Sequence, residues 1–334
     1  FMAFISVFAY VLAPDSSQYA NQMHLSIHSK SPGFSVKMLT IPNPINEDQH
    51  FFNRLFLGDL NPAIEIPVST HRFDSNHVYY TEYVSEGLKG LQKSIKFSLD
   101  PTSSLQPFIT QRTFYFGTDK YGRDLLSRIL VGARISFSIG FVAVFISLLI
   151  GVFLGSIAGY FGGKWDAVIM WVINVTWSIP TLLLVIAITL ALGKGFWQVF
   201  IAVGLTMWVE VARIVRGQVM SVKEMQYVTA ARALGFTDFR IIVKLILPNI
   251  LAPVIVISAA NFAAAILIES GLSFLGIGAQ PPMSSWGAMI KDHYNYIIVG
   301  KPYLALIPGL CIMSLVMAFM LIGNTLRDAL DVKA

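Results

Sequence analysis

The chain has a single cysteine, Cys311, among 334 residues, so it can form no intrachain disulfide and no thiolate metal cluster. Charged residues make up only 13%, below what the surface of an ordinary soluble domain requires. No phosphate-cradling GxxxxGK[ST] loop is present: Gly163-Lys164 is followed by Trp165, and Gly193-Lys194 by Gly195, so the chain is not expected to hydrolyse ATP itself. No HExxH motif or paired aspartate falls within an apolar run, which argues against an intramembrane enzyme. Glu210 and Glu269 stand only near the ends of such runs and no internal repeat is evident, which argues against an ion-driven secondary transporter. The net charge of +5 is scattered between apolar runs with no basic block, so nucleic acid is not an expected partner, and no cofactor is expected.

What remains is hydrophobicity: 55% of residues are apolar and the mean hydropathy is +0.64, the mark of a membrane protein. Five apolar segments, 135–161, 167–192, 196–215, 249–268 and 303–326, approach or exceed the ~20 residues that cross ~30 Å of hydrocarbon. The third is expected to leave the hydrocarbon near Glu210, with Arg213 at the headgroups. An apolar run at 1–14 is too short to span and reads as a first membrane helix lacking its start, giving six in all; a signal-peptide core is the competing reading. The fold class expected is an all-α polytopic membrane protein with a small strand-containing external lobe.

Orientation follows from the loop cations. Lys164, Arg213, Arg216, Lys223, Arg232, Arg240, Lys244, Arg327 and Lys333 collect on one side, which is assigned to the cytoplasm with the C-terminus. Lys194, Lys291 and Lys301 fall on the other; adding Lys120, Arg123, Arg128 and Arg134 to them narrows the bias without reversing it. Pro180, Pro253 and Pro308 are expected to break the backbone ladder inside their helices, where neighbouring helices can re-satisfy it.

Residues 15–113 differ in kind. They are polar, carry Pro32, Pro42, Pro44, Pro62, Pro67, Pro101 and Pro107, and contain alternating stretches FSVKML from Phe34 and VYYTEYV from Val78, which predict strands. His24 and His28, at i and i+4, would share a helical face for a metal, but no third ligand can be placed. Next comes GTDKYGRD, in which Gly117, Gly122, Asp119, Arg123 and Asp124 predict a tight turn before a helix capped by Asp119 or opened by Asp124. The stripe Leu125, Ile129, Gly132 and Ala133, with Arg128 and Arg134 outside it, predicts a helix lying on the membrane surface. A structural role for the motif outweighs substrate contact. Glu269, at the end of its apolar segment, is a candidate for the translocation path that equally fits a solvated or paired carboxylate.

The loop 216–248 carries the clearest pattern. In YVTAARALGFTDFRIIVKLILPN, Tyr227, Ala230, Ala231 and Leu234 fall at i, i+3, i+4 and i+7, and Gly235 suits the left-handed position that ends a helix. Thr237 or Asp238 then caps a second helix with the stripe Phe239, Ile242, Val243 and Ile246, expected to end before Pro248. Either both stripes pack on the membrane helices, or the first helix, with small Ala230 and Ala231 allowing close approach, inserts into a groove on a cytoplasmic partner.

The Ala230, Ala231, Gly235 and Leu247-Pro248 pattern resembles the glutamate-alanine-alanine loop of binding-protein-dependent ABC permeases, with Thr229 where that family usually has glutamate. The strings FGTDKYGRDLLSRILVGARISFSIG at 116–140, SGLSFLGIGAQPPMSSWGAMI at 270–290 and GNTLRDALDVK at 323–333 resemble the dipeptide and oligopeptide branch of that family, its C-type subunit. The resemblance covers about residues 114–334 and leaves the 15–113 lobe, longer than the family leads one to expect, without a role. It implies a permease subunit importing di- or oligopeptides, or alternatively nickel or another small solute. The implied assembly pairs it with a homologous second permease, two cytoplasmic ATPases and an external binding protein in a prokaryotic inner membrane. It also implies that the helix bearing Tyr227, Thr229, Ala230, Ala231, Leu234 and Gly235, with Phe239 beyond, is a coupling helix docked on an ATPase.

Overall fold

The computed structural model describes residues 2–43, 50–74, 77–85, 87–88, 90–96, 107–193 and 195–330; Pro44, Pro101, Lys194, Lys333 and the last residues of the C-terminal string lie outside these. The chain divides into two compact units, Phe1–Ile135 with Pro281–Gly309, and Ser136–Gln280 with Leu310–Ala334.

The first unit opens with helix α1 (Met2–Leu12) and is built around an antiparallel five-stranded sheet. Its strands are β1 (Phe34–Ile41), β2 (Ile64–Asp74), β3 (His77–Glu82), β4 (Gln92–Lys96) and β5 (Phe108–Phe114), with the short helix α2 (Phe51–Leu57) between β1 and β2, in the order β4-β3-β2-β1-β5. Both alternating stretches are therefore strands, β1 and β3. Alternation along β1, between β2 and β5, sends Val36 and Met38 to one face, where they pack with Ile27 and Phe114, and Leu39 to the other, against Val68, Val78 and Tyr80. His24 is buried and His28 exposed on either side of a single 3₁₀ turn, so they share no helical face. Burial, then the nearby Arg112 guanidinium, push the His24 imidazole down to about 4.

Among the described residues, four helices are long and apolar enough to cross a membrane: α3 (Leu125–Phe161), α6 (Phe196–Lys223), α10 (Leu251–Phe274) and α12 (Tyr303–Leu330). Between α3 and α6, α4 (Gly163–Trp177) and α5 (Thr181–Leu192) meet at a 93° bend and count as a fifth span if taken together. The expected uninterrupted span 167–192 is thus broken at 178–180. Pro180 has no N–H to continue the ladder and drives Ile179 out of helical geometry, so α5 restarts after it. Pro253 breaks nothing, because it falls in the first turn of α10, where its missing N–H has no partner to lose; Pro308 lies inside α12.

The separate surface helix expected from Leu125 is likewise corrected: it is the first part of α3, continuous through Phe161. The charges that marked it as superficial mislead, since Arg128 is buried. In the same way α6 runs on to Lys223, so 216–223 is helix, and α10 extends past the expected end at 268.

Within the second unit α3 and α6 pack closely. Gly151, Gly155 and Gly159 recur every fourth residue along one face of α3. A β-carbon at Gly151 would stand 2.5 Å from Val211 Cβ, one at Gly155 2.5 Å from the Ala212 carbonyl oxygen, and one at Gly159 2.7 Å from that of Arg216. Glycine alone lets the two backbones come this close, the small-residue packing that membrane helices use because lipid supplies no hydrophobic drive between them. On the other side of α6, Arg216 forms a two-pronged pair with Asp166 of α4, at 2.5 and 2.6 Å, and Arg213 lies 4.4 Å from the Trp177 ring centre.

Two outcomes test this packing. Gly155→Ala is expected to destabilise the detergent-solubilised protein by about 1–3 kcal/mol through overpacking, measured by thermal unfolding. Gly217→Ala, whose added carbon meets open space, is expected to be neutral or stabilising.

His24 gives a pH dependence with a defined sign. Its folded-state value of about 4 lies below the ordinary 6.5, so the stability it contributes is whole above pH 6.5 and is lost as pH falls toward 4. Glu65, its carboxylate 4.0 Å away, is raised by burial against the pull of Arg112 and trends the opposite way. The difference between wild type and His24→Asn isolates the histidine: it is expected to shrink by up to about 3 kcal/mol between pH 7 and pH 4, read by denaturant titration.

Candidate functional site

The connection from α6 to α10 holds α7 (Gln226–Ala233), α8 (Asp238–Ile241), a π turn (Ile242–Ile246) and α9 (Leu247–Asn249). Helix α7 ends as its sequence requires. Gly235 adopts φ +80°, and the Phe236 N–H reaches back to the Ala231 carbonyl while the Gly235 N–H reaches that of Arg232, satisfying carbonyls the helix end leaves open. Thr237 then caps α8, its Oγ1 accepting from the Arg240 N–H at 3.4 Å.

The face of α7 is not the one the spacing predicted. Ala231 turns inward with Val228, into a core that includes Val211, Val215 and Val219 of α6 and Ile241, Ile246 and Ile250 beyond. Tyr227, Ala230 and Leu234, at i, i+3 and i+7, point outward, as does Thr229; Leu234 is 76% exposed. One edge of the helix therefore packs on the membrane helices, and the adjoining apolar edge is left uncovered. The missed signal is the i, i+4 repeat Val211, Val215, Val219 on α6, the stripe on which Val228 and Ala231 pack.

The second helix departs further. Phe239 is 77% exposed, and the buried pair is Ile241 and Ile246, five residues apart. A π turn brings i and i+5 to one face, which a search at 3.6-residue period does not find. The wider turn also carries the helix through Pro248, which was expected to stop it.

The module is fastened to α3 at its end. Tyr160 Oη donates to Asp238 Oδ1 at 2.6 Å, and the Arg232 guanidinium lies 5.7 Å from the Tyr160 ring centre.

The other two groups of sequence-selected residues lie elsewhere. In the first unit, Gly117 and Gly122 take φ +77° and +75°, and a β-carbon at Gly122 would stand 1.8 Å from the His24 carbonyl oxygen. Asp119, fully buried, accepts from the N–H groups of Tyr121 and Arg123 and pairs with Arg123 Nε at 2.6 Å. Arg123 also reaches Asn21, and the Lys120 ammonium reaches Asp292. Asp124, not Asp119, caps α3, accepting from the Ser127 N–H; burial pushes its carboxyl pKa up against the pull of Ser127. The motif thus ties together the segment around 21–30, the start of α3 and the helix α11 (Trp286–His293).

In the second unit Glu269 is neither solvated nor at a helix end. It is fully buried in α10, where it accepts a hydrogen bond from Ser273 Oγ at 2.7 Å, and that hydroxyl accepts in turn from the Ala279 N–H.

With this geometry in hand, comparison with known proteins is direct. The family described as binding-protein-dependent transport system inner membrane component matches residues 151–333. The dipeptide transport system permease protein DppC of Bacillus subtilis (strain 168) is 41% identical over 241 residues, 70% of this chain and 75% of the relative. The glutathione transport system permease protein GsiD of Escherichia coli O6:K15:H31 (strain 536 / UPEC) is 42% identical over 219 residues, 66% of this chain and 72% of the relative. A chain of the MetNI methionine ABC transporter, solved in inward-facing conformations, is similar in fold, with a TM-score of 0.50 at 18% identity over 60% of this chain and 95% of that one. Sequence and fold agree, and the chain belongs to the family of inner-membrane components of binding-protein-dependent transport systems.

Proposed function

We propose that this chain is a permease subunit of an ABC importer that carries di- and oligopeptides across a prokaryotic cytoplasmic membrane, driven by ATP hydrolysis in partner subunits. The observation that carries the reading is the uncovered apolar face of α7, Tyr227, Ala230 and Leu234, with Phe239 just beyond Gly235, on a module whose inner face is fully packed. An apolar helix face held rigidly and left bare is suited to a groove on another protein. On this reading the face docks on one of two cytoplasmic ATPases, with Thr229 at its edge, and the loop cations and C-terminus lie on the cytoplasmic side.

The remaining parts follow from the same assembly. A homologous second permease completes the pathway, and an external binding protein delivers cargo to the side that bears the sheet. α1 and the α4–α5 pair, added to the four long helices, make six membrane segments. The Gly117, Asp119, Gly122, Arg123 and Asp124 motif braces the outer side, and Glu269 lies along the translocation path. Rigid movement of the docked module, passed through Tyr160 to α3, would switch access between the two sides. Peptide cargo is favoured over nickel or another small solute because the relatives at 41% and 42% identity are named for dipeptide and glutathione transport.

Docking is tested by co-purification of the tagged chain with its ATPases from detergent. Leu234→Asp is expected to weaken capture by about thirtyfold or more, since it removes a ~2 kcal/mol apolar contact and buries a charge, while thermal unfolding of the isolated subunit is unchanged. Ala231→Arg is expected to unfold the module instead, because Ala231 faces the core. Equal capture by Leu234→Asp and wild type would mean that this face is not the docking surface.

A further inference from the structure

Where α4 and α5 part, a cleft of about 190 Å³ opens against α6 and α10, lined by Thr176, Trp177, Thr181, Thr206, Glu210 and Ile268 among others. Glu210 stands half-way along the 28-residue helix α6, and the break lies half-way along the α4–α5 pair. α6, expected to leave the hydrocarbon near Glu210, continues as helix beyond it to Lys223. A carboxylate on a membrane helix is costly unless it meets water or a cation.

Neither guanidinium on the following turns pairs with Glu210. Arg213 lies over the Trp177 ring and Arg216 is engaged by Asp166. Among the described residues no ion pair or hydrogen bond engages Glu210, and its side chain is exposed. Two of the three threonine hydroxyls that line the cleft are committed as donors: Thr176 Oγ1 donates to the Val172 carbonyl at 2.9 Å and Thr206 Oγ1 to that of Val203 at 2.8 Å. Each keeps its lone pairs. The cleft therefore offers acceptors, one of them charged, with these two donors already spent, and the complementary group is a compact cation with several N–H donors.

We propose that Glu210, with Thr176 and Thr206, forms a station on the translocation path that binds the free α-ammonium group of the transported peptide. This rests on the peptide-permease reading and deepens it by naming the end of the cargo that is recognised. Helix-breaking backbone beside a half-way carboxylate is the arrangement that membrane transporters use at binding sites, because the freed backbone is tolerated only where it lines a cavity.

The test uses the complete complex, with its partner permease, ATPases and binding protein, in proteoliposomes. ATP-driven uptake of a peptide with a free amino terminus is compared with that of its N-acetylated form, both loaded on the binding protein to saturation. Wild type is expected to favour the free amine by about tenfold, the size of one charge-assisted hydrogen bond. Glu210→Gln is expected to bring the two within about twofold, and Glu210→Asp to keep most of the preference. Because the binding protein is the same throughout, a change in the ratio belongs to the permease. An unchanged ratio in Glu210→Gln, or equal slowing of both peptides, overturns the station and leaves the permease reading standing. Wild-type complex that takes up neither peptide with ATP overturns the permease reading itself.

Discussion

The close approach of α3 and α6 along Gly151, Gly155 and Gly159 is the constraint on which the rest of the second unit depends. In lipid, apolar side chains gain nothing by leaving one apolar surface for another, so helices associate through the contacts that close backbones allow. With the seam closed, Val211, Val215 and Val219 of α6 sit against α3 and extend the same core to Val228, Ala231, Ile241 and Ile246. The module between α6 and α10 is thereby seated on its inner face, and Tyr160, the residue after the last glycine of the seam, fastens it through Asp238. A rigidly seated module can pass a push to the membrane helices, where a loop would absorb it.

The first unit is organised by charge. Asp119 is buried with Arg123 and lies 3.7 Å from Arg128, and one carboxylate gathers backbone and guanidinium donors from the turn that precedes α3. Trp286 Nε1 donates to the Ile129 carbonyl and Ser284 Oγ to that of Arg128, so the strings at 116–140 and 270–290 that resemble the family are joined by direct hydrogen bonds at the start of α3. Gly132 makes room for this, since a β-carbon there would stand 2.8 Å from the indole.

Much of this was legible in the residues themselves. Long apolar runs located the spanning helices, the alternation FSVKML and VYYTEYV located two of five strands, and Gly235 and Thr237 marked a helix end and a helix start by local backbone chemistry alone. What could not be read depends on partners distant in sequence. Arg128 looked like a surface charge because its carboxylate lies nine residues earlier in a turn, not one helical turn away. Tyr227, Ala230, Ala231 and Leu234 share an apolar stripe, but which edge of it turns inward is fixed by the valines of α6. The pair Ile241 and Ile246 needs a π turn to share a face, and the continuation of α6 past Glu210 to Lys223 runs through charged residues that look like a loop.

The account's central claim is that the bare face of α7 lies on the cytoplasmic side, as the proposed docking requires. Since Cys311 is the only cysteine, a Cys311→Ala background carrying Leu234→Cys can be labelled with a membrane-impermeant maleimide in right-side-out and inverted vesicles. The account predicts labelling of Leu234→Cys only in inverted vesicles. Labelling in right-side-out vesicles would contradict it.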